Sequence, residues 1–197
     1  MTQCLNEVLL EGMPLAAPER SHENHGTSFF RFYLSIPRLS GTPDVLPVLL
    51  PEALTPDVHP RRPIRIRGQL RSFNNRSGVG NKLILTVYAL ELQPALGEPC
   101  NQISLTGSLC KPPILRRTPL GRSICDMMLA VPRHYGRADY LPVIAWGQAA
   151  TRAGRLDVGD SLSLSGRIQS RSYHKVTESG TEERIAYEVS VMQLLEA

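Results

Sequence analysis

Two stretches of this 197-residue chain carry nearly the same row of side chains. In "RIRGQLRSF", Arg65, Arg67, Gln69, Arg71 and Phe73 alternate with Ile66, Gly68, Leu70 and Ser72. In "SGRIQSRSY", Arg167, Gln169, Arg171 and Tyr173 follow the same rhythm. Guanidinium groups suit phosphates, and an aromatic face can stack on any nucleobase. The competing reading is a solvated strand face, but such faces more often mix Glu, Lys and Thr, and neither phrase contains an acid.

Other reactive side chains form no comparable pattern. "SHENH" places His22 and His25 three apart, with Cys4 as a conceivable neighbour, but a metal site needs further ligands. It reads as a polar loop between the first two strands. His134, beside Tyr135, reads as a loop residue. Glu182 and Glu183 fall in the charged run "TESGTEER", which suits a hairpin tip better than a catalytic pair. No Gly-rich phosphate loop and no nucleophile–base spacing is present, so no catalysis, metal or cofactor is expected. Cys4, Cys100, Cys110 and Cys125 show no C-x-x-C pairing, which fits reduced thiols of a cytosolic protein.

Charge is concentrated. The net charge is +4, and Arg61 to Lys82 holds seven basic residues and no acid. Lys111 to Arg137 holds six basic residues against the single acid Asp126. This clustering matches a polyanion footprint better than scattered surface charge does, with a solvated basic face as the alternative. No apolar run approaches the roughly 18 residues of a membrane span, and "MTQCLNEVLL" lacks the pattern of a signal peptide.

These residues recur because the chain is a repeat. Shifted by 95 positions, Asn6 falls on Asn101, Gly12 on Gly107, "LSIPR" on "LAVPR" and "DVLPV" on "DYLPV". After small length differences, Gly68 falls on Gly166 and "KLILTV" on "RIAYEV". Two domains follow, residues 1–95 and 100–197, joined through the Pro- and Gly-bearing "QPALGEPC".

Each copy reads as strands. In "FFRFYLSI", Phe30, Phe32, Leu34 and Ile36 share one face, and Arg31, Tyr33 and Ser35 share the other. "DYLPVIAW" is a third strand, "GQAATRAGRL" a helix, and two further strands end the copy. Five strands with a helix after the third is the order of an OB-fold barrel, so the fold class is all-β, two tandem five-stranded OB barrels. The proline-rich "PEALTPDVHP" allows the first copy only a short or broken helix there. Gly68 and Gly166, inside long strands, mark bulges or sharp bends. Alternation groups Trp146 with Tyr140 and Ile144, opposite Leu141, Val143 and Ala145, and leaves open which face points inward.

The second copy resembles bacterial single-stranded DNA-binding proteins. The likeness lies in "NQISLTGSL", "LAVPR", "DYLPVIAWGQAA", "LDVGDSLSLSGRIQSRSY" and "YEVSV", in that order and spacing. The first copy is similar but more worn, and the chain is similar to a tandem version of that family. The resemblance implies binding of single-stranded DNA without strong sequence preference, in replication, repair, recombination or mobile-element transfer. It also implies no cofactor, no membrane, a cytoplasmic, nucleoid-associated protein, and a homodimer supplying four OB domains. It places base-stacking rings at Trp146, Tyr173 and Tyr135. The basic phrase and the basic clusters around them add cation candidates at Arg133, Arg167, Arg171, Lys175, Arg116, Arg117 and Arg122. In the first copy the candidates are Arg65, Arg67, Arg71, Phe73, Asn74, Asn75, Arg76 and Lys82. That copy departs from the family where Pro51 stands opposite Trp146 and Asn75 opposite Tyr173. The family's flexible acidic, partner-recruiting tail is not expected beyond "MQLLEA". Two rivals remain: an RNA-binding or primosomal OB-fold protein, and a structural protein-interaction module.

Overall fold

The computed structural model describes residues 5–195 and shows the repeat as two sets of strands. The first set is β1 (Asn6–Pro14), β2 (Glu19–Asn24), β3 (Thr27–Ile36), β4 (Asp44–Pro51), β5 (Ile64–Asn74) and β6 (Leu83–Pro94). The second is β7 (Cys100–Leu109), β8 (Ile114–Arg117), β9 (Ser123–Pro132), β10 (Ala138–Trp146), β11 (Ser161–Thr177) and β12 (Gly180–Leu195). The sixth segment in each set arises because the first barrel strand is broken in two. Both β1 and β2 pair with β3, and both β7 and β8 pair with β9. Pro18 lies in the first break, and Pro112 and Pro113 lie in the second, where a missing amide donor interrupts the ladder. Most of "SHENH" therefore belongs to strand β2, not to a loop, and His25 turns the hairpin.

Each set closes on itself. β1 meets β3 and β5, and the parallel pair Val48↔Val87 joins β4 to β6. In the second set β7 meets β9 and β11, and Val143↔Val189 joins β10 to β12. These are two OB folds in tandem. The alternating apolar positions fill them. Leu34, Leu46, Ile66 and Leu70 are fully buried in the first, and Leu105, Leu129, Leu141 and Leu164 in the second. Each such side chain contributes about 1.5–3 kcal/mol relative to exposure. Leu141, Val143 and Ala145 face inward, which sets Tyr140 and Trp146 on the outer face of β10.

The bulges stand at the two in-strand glycines. Register shifts occur between Arg67 and Gly68 and between Ser165 and Gly166. A Cβ at either glycine would run into the carbonyl of Tyr88 or Ser190 on the neighbouring strand. The helix α1 (Gly147–Ala153) follows the third barrel strand of the second copy and buries Ala150 and Ala153. The first copy has only a helical turn, Glu52–Asp57, with Pro56 inside it.

The barrels join edge to edge. β1 and β7 run antiparallel from Asn6↔Leu105 to Glu11↔Cys100. One sheet thus runs β6-β5-β1-β7-β11-β12 across the whole molecule. Reciprocal hydrogen bonds reinforce the seam. Ser170 donates its amide to Asp44 Oδ1 at 3.1 Å, and Ser72 donates its amide to Asp139 Oδ1 at 2.8 Å. The hydroxyls answer: Val45 N donates to Ser170 Oγ at 3.1 Å, and Tyr140 N to Ser72 Oγ at 2.7 Å. Glu11 pins the connecting segment by accepting the amides of Leu96 at 3.1 Å and Gly97 at 2.7 Å.

Candidate nucleic-acid interface

A cleft of about 700 Å³ opens between the barrels and draws its lining from both. The first barrel supplies Gln69 and Arg71 from β5 and His25 from the β2–β3 turn. The second supplies Arg133, Tyr135 and Arg137 from the turn between β9 and β10. That turn is closed by the Arg133 amide donating to the Arg137 carbonyl at 2.7 Å. Tyr135 sits at its apex with φ +64° and is 99% exposed. A ring held in the left-handed region and turned wholly to water is available for stacking.

Charge in the cleft is set by a buried acid. Asp139 is 0% exposed, and Arg133 Nε lies 3.2 Å from its Oδ2 without hydrogen-bond alignment. Burial pushes the Asp139 carboxyl above its ordinary range, opposed by the Ser72 amide and by Arg133 and Arg71. Burial also lowers the Arg71 guanidinium from its ordinary value, with Asp139 opposing. Arg71 lies 5.5 Å over the Tyr88 ring, and Arg133 lies 6.0 Å over Phe73. Phe73 is 43% exposed, so an aromatic of one copy and a cation of the other meet at the seam.

A second groove gathers Lys82, Arg171, Tyr173 and Lys175. The loop between β5 and β6 closes over it. Tyr173 donates its hydroxyl to Asn81 Oδ1 at 2.8 Å, Asn81 Nδ2 donates to the Ile185 carbonyl at 2.7 Å, and Arg184 Nη1 donates to the Gly80 carbonyl at 2.8 Å. Arg171 lies 6.0 Å over Tyr173 and 3.5 Å from the Glu188 carboxylate. Glu182 stands on β12 near the hairpin tip, where it accepts from Arg184 at 3.0 Å.

Trp146, half-buried at the end of β10, carries the Arg122 guanidinium 4.9 Å over its ring. Nearby on the β8–β9 hairpin, Arg116 is held by Asp126 at 2.7 Å, and Arg117 is exposed. The Asp126 hydrogen bond raises the Arg116 guanidinium above its ordinary value.

Several expected contacts are occupied inside the protein. Arg65 pairs with buried Glu11 at 2.9 Å. Arg167 lies 3.7 Å from Asp44, which Arg38 also engages. Gln69 accepts from Arg71 at 2.5 Å, and Gln169 donates to Glu188 at 2.7 Å. Asn75 folds its own loop, donating to the carbonyls of Val79 at 2.6 Å and Asn81 at 2.9 Å and accepting from the Ser77 amide at 3.0 Å. Arg67 is exposed on the seam-spanning sheet, in a concavity it shares with Glu7 and Gln102. Asn74 and Arg76 are exposed at the end of β5 and just after it. Tyr140, absent from the sequence-based candidates, is 48% exposed on the Trp146 face of β10, and the alternation that groups the two is its signal. Among the described residues no three His, Cys, Asp or Glu side chains gather where they could hold a metal ion, and Cys4 lies outside those residues. No helix among them is long and apolar enough to cross a membrane.

Comparison with known proteins bears on this arrangement. Residues 100–195 match the model of the "Single-strand binding protein family". The single-stranded DNA-binding protein of Clostridium tetani is 40% identical over 80 residues, covering 37% of this chain and 55% of its own length. That of Thermus aquaticus is 36% identical over 107 residues, covering 52% of this chain and 39% of its own length. The chain spans about half the length of the curated relatives it matches. The crystal structure of the wild-type Thermus aquaticus single-stranded DNA binding protein superposes with a TM-score of 0.80 at 25% identity, covering 100% of this chain and 94% of that one.

Proposed function

We propose that the chain, whose residues 100–195 match the single-strand binding protein family, is a bacterial single-stranded DNA-binding protein that holds single-stranded DNA through two barrels acting together. The observation that carries this reading is the inter-barrel cleft. Arg71 of one copy and Arg133 of the other flank it, and Tyr135 stands fully exposed at its rim. Cations take up phosphates, rings take up bases, and neither demands a particular sequence. Trp146 under Arg122, and Tyr173 beside Arg171 and Lys175, extend the path on the second barrel.

Within this reading the working units are residues 1–95 and 100–197, divided at the segment that Glu11 pins. The protein acts as a coat rather than a catalyst, in the cytoplasm on the nucleoid, during replication, repair, recombination or transfer of mobile DNA. Two chains associate, so that four barrels form the working assembly.

The test is a competition between equal-length single-stranded DNA, duplex DNA and RNA for a labelled oligo(dT). The proposal expects single-stranded DNA to displace the label and duplex to fail. Preferential displacement by RNA would support the RNA-binding alternative, and no binding of the label at low salt would support the protein-interaction alternative. Light scattering should give about twice the 21.8 kDa chain mass; a monomer would refute the four-barrel assembly.

A further inference from the structure

The first barrel lacks the rings of the second: Pro51 stands opposite Trp146 and Asn75 opposite Tyr173. Its outer face nevertheless carries a continuous aromatic row. His22 of β2 stacks on Phe29 of β3 with centroids 5.1 Å apart and planes inclined by 15°. Phe29 meets Tyr88 of β6 at 6.2 Å and 46°. Arg71 of β5 completes the row, 5.5 Å from the Tyr88 centroid. Four strands thus each contribute one member.

The barrel geometry explains the alignment. Phe29 alternates with the inward set of Phe30, Phe32, Leu34 and Ile36 and so falls on the outward side of β3, and the hairpin register sets His22 directly across from it. The parallel β4–β6 pair brings Tyr88 beside Leu49, which is itself opposite Arg31 of β3. Leu49 faces outward yet is only 8% exposed. The equivalent positions in the second barrel hold Arg117, Ile124 and Ser190, so the row belongs to the first barrel alone.

We propose that His22, Phe29 and Tyr88 form a nucleobase-stacking site for single-stranded DNA, with Arg71 meeting the adjacent phosphate. The proposal rests on the single-stranded DNA reading above and names the bases' platform on the barrel that lacks the family's rings. Two observations favour a ligand over simple cover for Leu49. His22 adds nothing to a core, because it is exposed and at the outer end of the row. The row is also continuous with the cleft: Arg71 lines the cleft, and so does His25, three residues beyond His22. The acid nearest along the hairpin, Glu23, is neutralised by Arg20 at 3.3 Å.

The experiment compares oligo(dT) with an abasic oligonucleotide of equal length, which keeps the phosphates and removes the bases. The variants are His22→Ala, which touches only an exposed ring, and the double Phe29→Leu/Tyr88→Leu, which keeps apolar cover over Leu49. Tyr88→Phe retains the ring and serves as the conservative control. Thermal denaturation establishes that each is folded. One lost stacking contact corresponds to about fivefold or more in affinity. The double variant should bind oligo(dT) at least fivefold more weakly, with His22→Ala weakened in the same direction. Binding of the abasic strand should be unchanged, and Tyr88→Phe should match the wild type. Equal losses on both strands would show that the rings only shape the barrel, and undiminished oligo(dT) binding would remove the row from the DNA path; either result overturns the proposal. If the wild-type protein itself ignored oligo(dT), the failure would belong to the single-stranded DNA reading instead.

Discussion

Asp139, buried in the second barrel, accepts the backbone amide of Ser72 in the first at 2.8 Å. The repeat generates the converse bond, from the Ser170 amide to Asp44 at 3.1 Å. Each barrel therefore inserts a carboxylate into the fourth barrel strand of the other. Together with the continuous β1–β7 ladder, these bonds tie the two barrels to each other along one seam. The position of Arg71 relative to Arg133, and hence the cleft itself, depends on that lock.

Asp44→Ala should destabilise the protein strongly. It strips the partner from Arg38 and leaves the Ser170 amide without an acceptor. Removing one member of a buried ion pair costs about 3–5 kcal/mol. Urea denaturation should show a lower midpoint and, with the barrels uncoupled, two transitions in place of one. An unchanged single transition would mean the seam does not depend on this carboxylate.

Glu11 gives a pH signature. Burial would raise its carboxyl, but the amides of Leu96 and Gly97 and the Arg65 guanidinium outweigh burial and hold it below its ordinary value of 4.5. A carboxyl lowered in the folded state adds stability that is complete above that ordinary value and is lost as pH falls through the folded value. Glu11→Gln should therefore cost about 1–3 kcal/mol at neutral pH. The gap from wild type should close on acidification below pH 4.5. Denaturation midpoints across the acid range measure this directly, and a gap that widened in acid would contradict it.

Tyr173 separates stacking from tethering. Its hydroxyl holds Asn81 at 2.8 Å, while its ring lies beside Arg171. Tyr173→Phe keeps the ring and frees the loop, so affinity for oligo(dT) should stay within about twofold of wild type. Tyr173→Ala removes the platform and should weaken binding by about tenfold or more, at roughly 1–3 kcal/mol per stacked base. Equal losses in the two variants would assign Tyr173 to the loop contact alone.

Much of this architecture was legible because both of its signals are local. Alternation in "FFRFYLSI" and in the two basic phrases marked which side chains point inward, and the glycines at 68 and 166 marked the bulges. The broken first strand was less visible, since "SHENH" is polar throughout and has no inward face to betray a strand. The ion pairs were not legible at all. Arg61 to Lys82 looks free of acid only along the chain; Arg65 finds Glu11 from 54 residues away. The row of His22, Phe29 and Tyr88 likewise joins residues of three strands, which no spacing in the sequence brings together.

These pairings shape the salt dependence. For single strands, log affinity falls with log salt by about 0.7 for each phosphate contacted. Lys175 and Arg137 are exposed, so replacing either by Ala should flatten the slope by somewhat under one unit. Arg65→Ala should lower stability through Glu11 and leave the slope unchanged, because that guanidinium is already paired. Titrations at several salt concentrations measure both, and a slope change for Arg65 equal to that for Lys175 would contradict the assignment.

The central claim is that the two barrels hold single-stranded DNA across their shared cleft. The most direct measurement is the anisotropy of a labelled oligo(dT) titrated with wild-type protein and with an Arg71→Ala/Tyr135→Ala double variant, which removes one cleft contact from each barrel. Saturable binding by the wild type that weakens with salt, and a loss of about tenfold or more in the variant, is the predicted result. Wild-type binding that is absent, or that the double variant matches, would contradict it.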